Sequence, residues 1–116
     1  MLFSFHGTEA LEASIELVEG GVLVKQGSQA SLKTKPHFEI HCASYATKRR
    51  ELIESEVLKD DGVRFVFSQD QYFASTSAAA SVVAGQNQNA DHWVAANGDN
   101  LGDLLRAIRN KQERIL

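Results

Sequence analysis

Residues 12–24 read EASIELVEGGVLV: Glu12-Ala13-Ser14-Ile15-Glu16-Leu17-Val18, then Glu19-Gly20-Gly21, then Val22-Leu23-Val24. The first seven partly alternate polar and apolar side chains, as a strand with one buried face does. The two glycines supply turn chemistry, after which the apolar pattern resumes. The stretch predicts a β-hairpin. Upstream, Phe3 and Phe5 flank Ser4 and predict a further short strand or an arm covering the same core.

Downstream, residues 27–36 read as a loop. Phe38, Ile40 and Cys42 then share one parity, with His37, Glu39 and His41 on the other, which fits a strand. A helix is expected from Ser44, its N-cap, to Leu58, ended by Asp60-Asp61-Gly62. Val63–Phe67 and Gln71–Phe73 predict two strands joined by a turn at residues 68–70. Ser75 is placed to cap a helix through Ala78, Ala79, Ala80, Val82 and Val83, with Gly85 as its stop. Residues 86–89 read as a polar loop and His92-Trp93-Val94 as a short strand. Asn97-Gly98 then reads as a turn, and Asn100 as the cap of a last helix carrying Leu101, Leu104, Leu105 and Ile108. The expected fold is α+β: one domain, strand-rich first and helix-rich later, with a small antiparallel sheet and about three helices.

The 116 residues suit one core, and 43% hydrophobic against 23% charged residues is ordinary globular composition. Cys42, the one cysteine, has no internal disulfide partner, and the start MLFSFHGTEA lacks a basic segment followed by a long apolar run. A cytoplasmic protein is expected. No apolar stretch approaches the roughly 20 residues of a membrane span, so no membrane role is expected.

The net charge of −3 conceals segregation. Residues 1–24 carry four acids and no Lys or Arg, whereas residues 25–50 carry six bases and only Glu39. Nine acids and two bases follow in 51–104, then four bases and Glu113 in 105–116. An acidic chain with two basic islands is unlike a general nucleic-acid coat. Should Lys25, Lys33, Lys35, Lys48, Arg49 and Arg50 converge in space, they would form a DNA-backbone face; scattered, they are solvated charge.

Other constellations each carry a plainer alternative. Ser75, Thr76 and Ser77 open a helix whose first N–H groups suit a phosphate, and the same residues cap it. Trp93 and Tyr72 are able to stack on an exposed base, and equally to fill the core. His37, His41, Glu39 and Cys42 are metal-compatible, and a helix would put the two histidines on one face, but no second cluster completes a coordination shell. His41 and Cys42 are neighbours that a strand would point to opposite sides, which removes them as base and nucleophile. No catalytic residue, metal or cofactor is expected.

The order "GGVLVKQGSQA", "KRRELIESEVL", "FVFSQDQYFASTSAAASVVAGQNQN", "HWV" and "NGDNLGDLL" resembles the domain-of-unknown-function 4357 family across nearly the whole chain. That family is often attached C-terminal to GIY-YIG endonuclease domains. Its helix start is similar to that of RAMA domains found with restriction enzymes and adenine methylases. Thr76 stands where the family usually has proline, and Ala90-Asp91 replaces a common Gly-Trp pair, leaving Trp93 as the only tryptophan. A two-aromatic ligand cage is therefore not expected, and no nuclease residue carries over. The resemblance implies a non-catalytic accessory module that binds DNA or senses modified DNA in a restriction or nuclease-associated setting. The alternative is a protein-interaction or homodimer module working through Leu101, Leu104, Leu105, Ile108, Ile115 and Leu116 of the last helix.

Overall fold

The computed structural model describes residues 2–7 and 10–115, with side chains as far as residue 110. The order of elements is β1 (Leu2–Phe5), β2 (Ser14–Val18), β3 (Gly21–Val24), β4 (Gln29–Ala30), α1 (Phe38–His41), α2 (Ala43–Glu54), β5 (Leu58–Asp60), β6 (Phe65–Phe67), β7 (Gln71–Phe73), α3 (Thr76–Ala84), a 3₁₀ turn (Ala90–His92), β8 (Trp93–Ala95) and α4 (Leu101–Ile115). The α+β class and antiparallel pairing are as expected. Strands and helices, however, interleave along the chain instead of dividing into two halves.

The predicted hairpin is β2–β3, with Ile15 opposite Val24 and Val18 opposite Gly21. Phe3 and Phe5 lie on β1, a true strand held between β2 and β8, because their rings face the core while Leu2 and Ser4 face outward. The five-stranded sheet runs β7-β3-β2-β1-β8. β6 does not pair with β7 as a hairpin. It joins a second sheet of order β4-β6-β5, in which Leu58 pairs with Phe67 and Gln29 with Val66.

α3 lies at the centre of the molecule. Every residue from Ala79 to Gly85 is buried, which is the pattern of a helix enclosed on all sides. Ser75 caps it as expected, its Oγ accepting from the N–H of Ala78 at 3.0 Å, and Gly85 stops it in the left-handed conformation at φ 68°. Around α3 pack Phe3, Ile15, Val22, Val24, Phe67, Phe73 and Trp93 from the strands, with Leu52 from α2 and Leu101 from α4.

Three local expectations are corrected. Residues 38–41 are helical, because Phe38 and Cys42 are buried four residues apart while Ile40 between them is 72% exposed. α2 is capped at the Cys42 position and not by Ser44, and it ends at Glu54. Glu56 then takes a left-handed φ of 64°, and Leu58, 2% exposed, is drawn into strand pairing. Ser68 secures that reversal, donating through Oγ to the Glu56 carbonyl at 2.9 Å and through its N–H to Val57 at 2.7 Å. Asp60-Asp61-Gly62 is therefore the β5–β6 turn and not a helix end. Among the described residues no helix is long and apolar enough to cross a membrane.

Candidate nucleic-acid interface

The C-terminal end of α3 brings two distant loops together. The N–H of Ser31 donates to the Val83 carbonyl at 2.8 Å, and that of Lys35 to the Gly85 carbonyl at 2.8 Å. Gly85 has to be glycine for close approach as well as for its backbone angle: a Cβ there would sit 2.6 Å from the Lys33 carbonyl oxygen. Beyond it, the Ser81 hydroxyl, wholly buried, accepts from the N–H of Gln88 at 3.0 Å and donates to the Gln88 carbonyl at 3.2 Å. One hydroxyl thereby fixes the loop that carries Gln86 and Asn87.

Arg49 locks the same junction from behind. It is 3% exposed; its guanidinium donates to the Val82 carbonyl at 2.7 Å and to the Ser31 carbonyl, and lies over the Phe65 ring at 5.3 Å from the centroid. A buried arginine whose donors face carbonyl oxygens is a structural clamp.

Between these loops and α1 opens a cleft of about 390 Å³ lined by Lys35, His37, Phe38, His41, Cys42, Gln86 and Asn87. Phe38 and Cys42 are its apolar floor, both buried. His37 and His41, one helical turn apart, stand with ring centroids 5.6 Å apart and planes tilted by 54°. No carboxylate lines it. The exposed side chain of Lys33 leaves the chain beside Gly85, and the negative end of the α3 dipole favours cations here. Glu39 of α1 is held by Arg50 at 2.9 Å. Among the described residues, no group of three His, Cys, Asp or Glu is arranged to hold a metal ion.

The predicted binding residues thus separate into several places. Lys35 lines the cleft, and Lys33, exposed two residues earlier, does not. Lys25 directly follows β3 of the five-stranded sheet, where it pairs with Asp70 at 2.9 Å and Glu16 at 3.6 Å. Asp70 holds its ammonium in the charged form, and the Gln26 N–H, then Lys25, hold the Asp70 carboxyl below the usual carboxylate range. Lys48 is half-buried on α2 and does not line the cleft; Arg50 is exposed and engaged by Glu39. Arg49 is corrected from a phosphate contact to the clamp described above.

Ser75, Ser77 and Trp93 belong to the opposite end of α3, roughly 13 Å away at helical rise. Trp93 is corrected from a stacking platform to a core residue: it is 0% exposed, its indole N–H donates to the Thr76 carbonyl at 3.1 Å, and Phe5 packs edge-on at 5.2 Å. Tyr72 is 46% exposed, with its hydroxyl donating to the Gly20 carbonyl at 2.9 Å. A second cleft of about 430 Å³ at that end is lined by Thr76, Ser77, Asp91, Gly102, Arg106 and Arg109 among others. There Asp91 and Asp103 take up Arg106, at 2.9 and 2.5 Å, which reduces its pull on an anion.

That His37, His41, Gln86 and Asn87 line one cleft was missed by sequence reasoning. The available signals were the i, i+4 spacing of the histidines and the polar run following Gly85, but nothing in the sequence joins the two. No curated protein and no solved structure matches the chain. The family model described as Domain of unknown function (DUF4357) matches residues 3–105, from β1 into the first part of α4, and the chain belongs to that family.

Proposed function

We propose that this chain is a non-catalytic accessory module that binds DNA, in the restriction or nuclease-associated setting that the resemblance implies, with the cleft beside the end of α3 as its contact surface. The observation that supports this reading is the carboxylate-free lining, in which Lys35, His37 and His41 share one cleft with Gln86 and Asn87, with Lys33 exposed two residues before Lys35. A concavity that holds a lysine and no carboxylate, on an acidic chain, gives phosphate one place of attraction, and amides beside it complement base edges.

Fluorescence anisotropy of short labelled DNAs at two salt concentrations tests the proposal, with adenine N6-methylated and unmethylated duplexes tested for modification sensing. Affinity should fall with salt, and Lys33→Glu with Lys35→Glu should abolish it while the thermal unfolding curve is retained. Unchanged affinity in that folded variant overturns the reading.

A second reading, a protein-interaction or dimer module without nucleic-acid binding, is favoured by one specific feature. On α4, Leu105 is 41% and Ile108 55% exposed, the residue types that mark contact surfaces when they adjoin. Ile115 and Leu116, expected on the same face, lie outside the described side chains.

A further inference from the structure

We infer that the cleft accepts one unpaired nucleotide of a DNA strand, its base over the Phe38–Cys42 floor and its phosphate at Lys35. This rests on the DNA-binding reading above and narrows it to a substrate class.

Three observations support it. The cleft, at about 390 Å³, has the size of a small-molecule site. A base stacked and paired inside a duplex has no way to enter such a space, whereas an unpaired base does. The floor is apolar and the walls polar: Phe38 and Cys42 lie beneath, and the exposed imidazoles of His37 and His41 stand to one side. A flat heteroaromatic ring needs that combination, since bases stack on histidine as on other aromatics and expel water from an apolar floor. In the same lining, the exposed amide of Asn87 presents a donor and an acceptor together, the complement of an unpaired base edge. Base pairing in a duplex would already engage much of that edge.

The test uses the full chain with a fluorescein-labelled 12-nucleotide single strand, the matching hairpin duplex, the same strand made abasic at every nucleotide, and free deoxynucleoside monophosphates as competitors. The expected result is about tenfold tighter binding of the single strand than of the duplex or the abasic strand. His41→Ala and Asn87→Ala alter exposed side chains and should remove that preference without changing the melting temperature. Lys35→Glu should weaken every DNA alike.

Equal or tighter duplex binding that still depends on Lys35 overturns the unpaired-nucleotide assignment and leaves the DNA-binding reading standing. Binding of the abasic strand as tight as that of the intact strand also overturns it, because the base would then contribute nothing. Monophosphates that displace the strand at equimolar concentration overturn the assignment to a nucleotide within a strand. Absence of binding to any DNA overturns both readings.

Discussion

The Arg49 guanidinium on α2 donates to the Val82 carbonyl on α3 at 2.7 Å, with the second arm on Ser31, so one buried cation joins a helix, the central helix and the loop entering the cleft. Removing it would take the arginine donor from both the Val82 and the Ser31 carbonyls. Arg49→Ala should cost about 3 kcal/mol or more of unfolding free energy in urea denaturation. Arg49→Lys should recover only part of the loss, because a single ammonium lacks the planar fork that reaches both carbonyls.

Gly85 and Gly98 separate backbone strain from steric overlap. Both have positive φ, 68° and 91°, but a Cβ on Gly85 would approach the Lys33 carbonyl at 2.6 Å, whereas nothing lies within 4 Å of one on Gly98. Gly98→Ala should cost about 1 kcal/mol from conformation alone. Gly85→Ala should cost clearly more and should also open the cleft, since the loop carrying Lys33 and Lys35 has to move. Parallel thermal melts of the two variants check the first outcome, and hydrogen exchange of the Lys35 amide, which donates to Gly85, checks the second.

The central helix was legible because its signals are local: Ser75, the alanine run and Gly85 act within one turn of themselves. Residues 38–42 were not, because spacings of two and four both place Phe38 and Cys42 together, and only the exposure of Ile40 distinguishes helix from strand. Arg49 misled for a related reason. It stands between Lys48 and Arg50 in sequence, yet successive helical positions turn by about 100°, and that turn sends the middle cation inward. The cleft was illegible because residues 33–41 and 85–87 are brought together by tertiary contacts, among them the pairing of Ser31 with Val83 and Lys35 with Gly85. No periodicity within either segment encodes that meeting.

Asp70 sets a pH dependence whose sign follows from its partners. The Gln26 N–H and then Lys25 favour the carboxylate, lowering its folded pKa below the usual value. A depressed folded pKa contributes stability that is present above the unfolded value and lost as pH falls through the folded one. Asp70→Asn should therefore lower the melting temperature relative to the parent near neutral pH. The gap should narrow as pH falls below the ordinary carboxylate range and through the lowered folded value, as the parent carboxyl itself takes up a proton. Melting curves of both proteins across this range provide the check, and a gap independent of pH would remove Asp70 as its source.

The exposed pair Leu105 and Ile108 bears on which functional reading holds. Neither side chain is buried in the domain, whereas Leu101 earlier on α4 is 1% exposed and anchors the helix to the core. Leu105→Ser with Ile108→Ser should accordingly change monomer stability by no more than about 0.5 kcal/mol, while Leu101→Ala should cost about 3 kcal/mol. If α4 is a contact surface between copies, the double variant should lower the sedimentation mass of the protein at constant melting behaviour. The DNA-binding reading instead expects sedimentation and DNA affinity both unchanged, because Leu105 and Ile108 do not line the cleft that holds Lys35. A double variant that loses DNA affinity while remaining folded would place the interface on α4, at the Arg106 and Arg109 end of the molecule, and not at the end of α3.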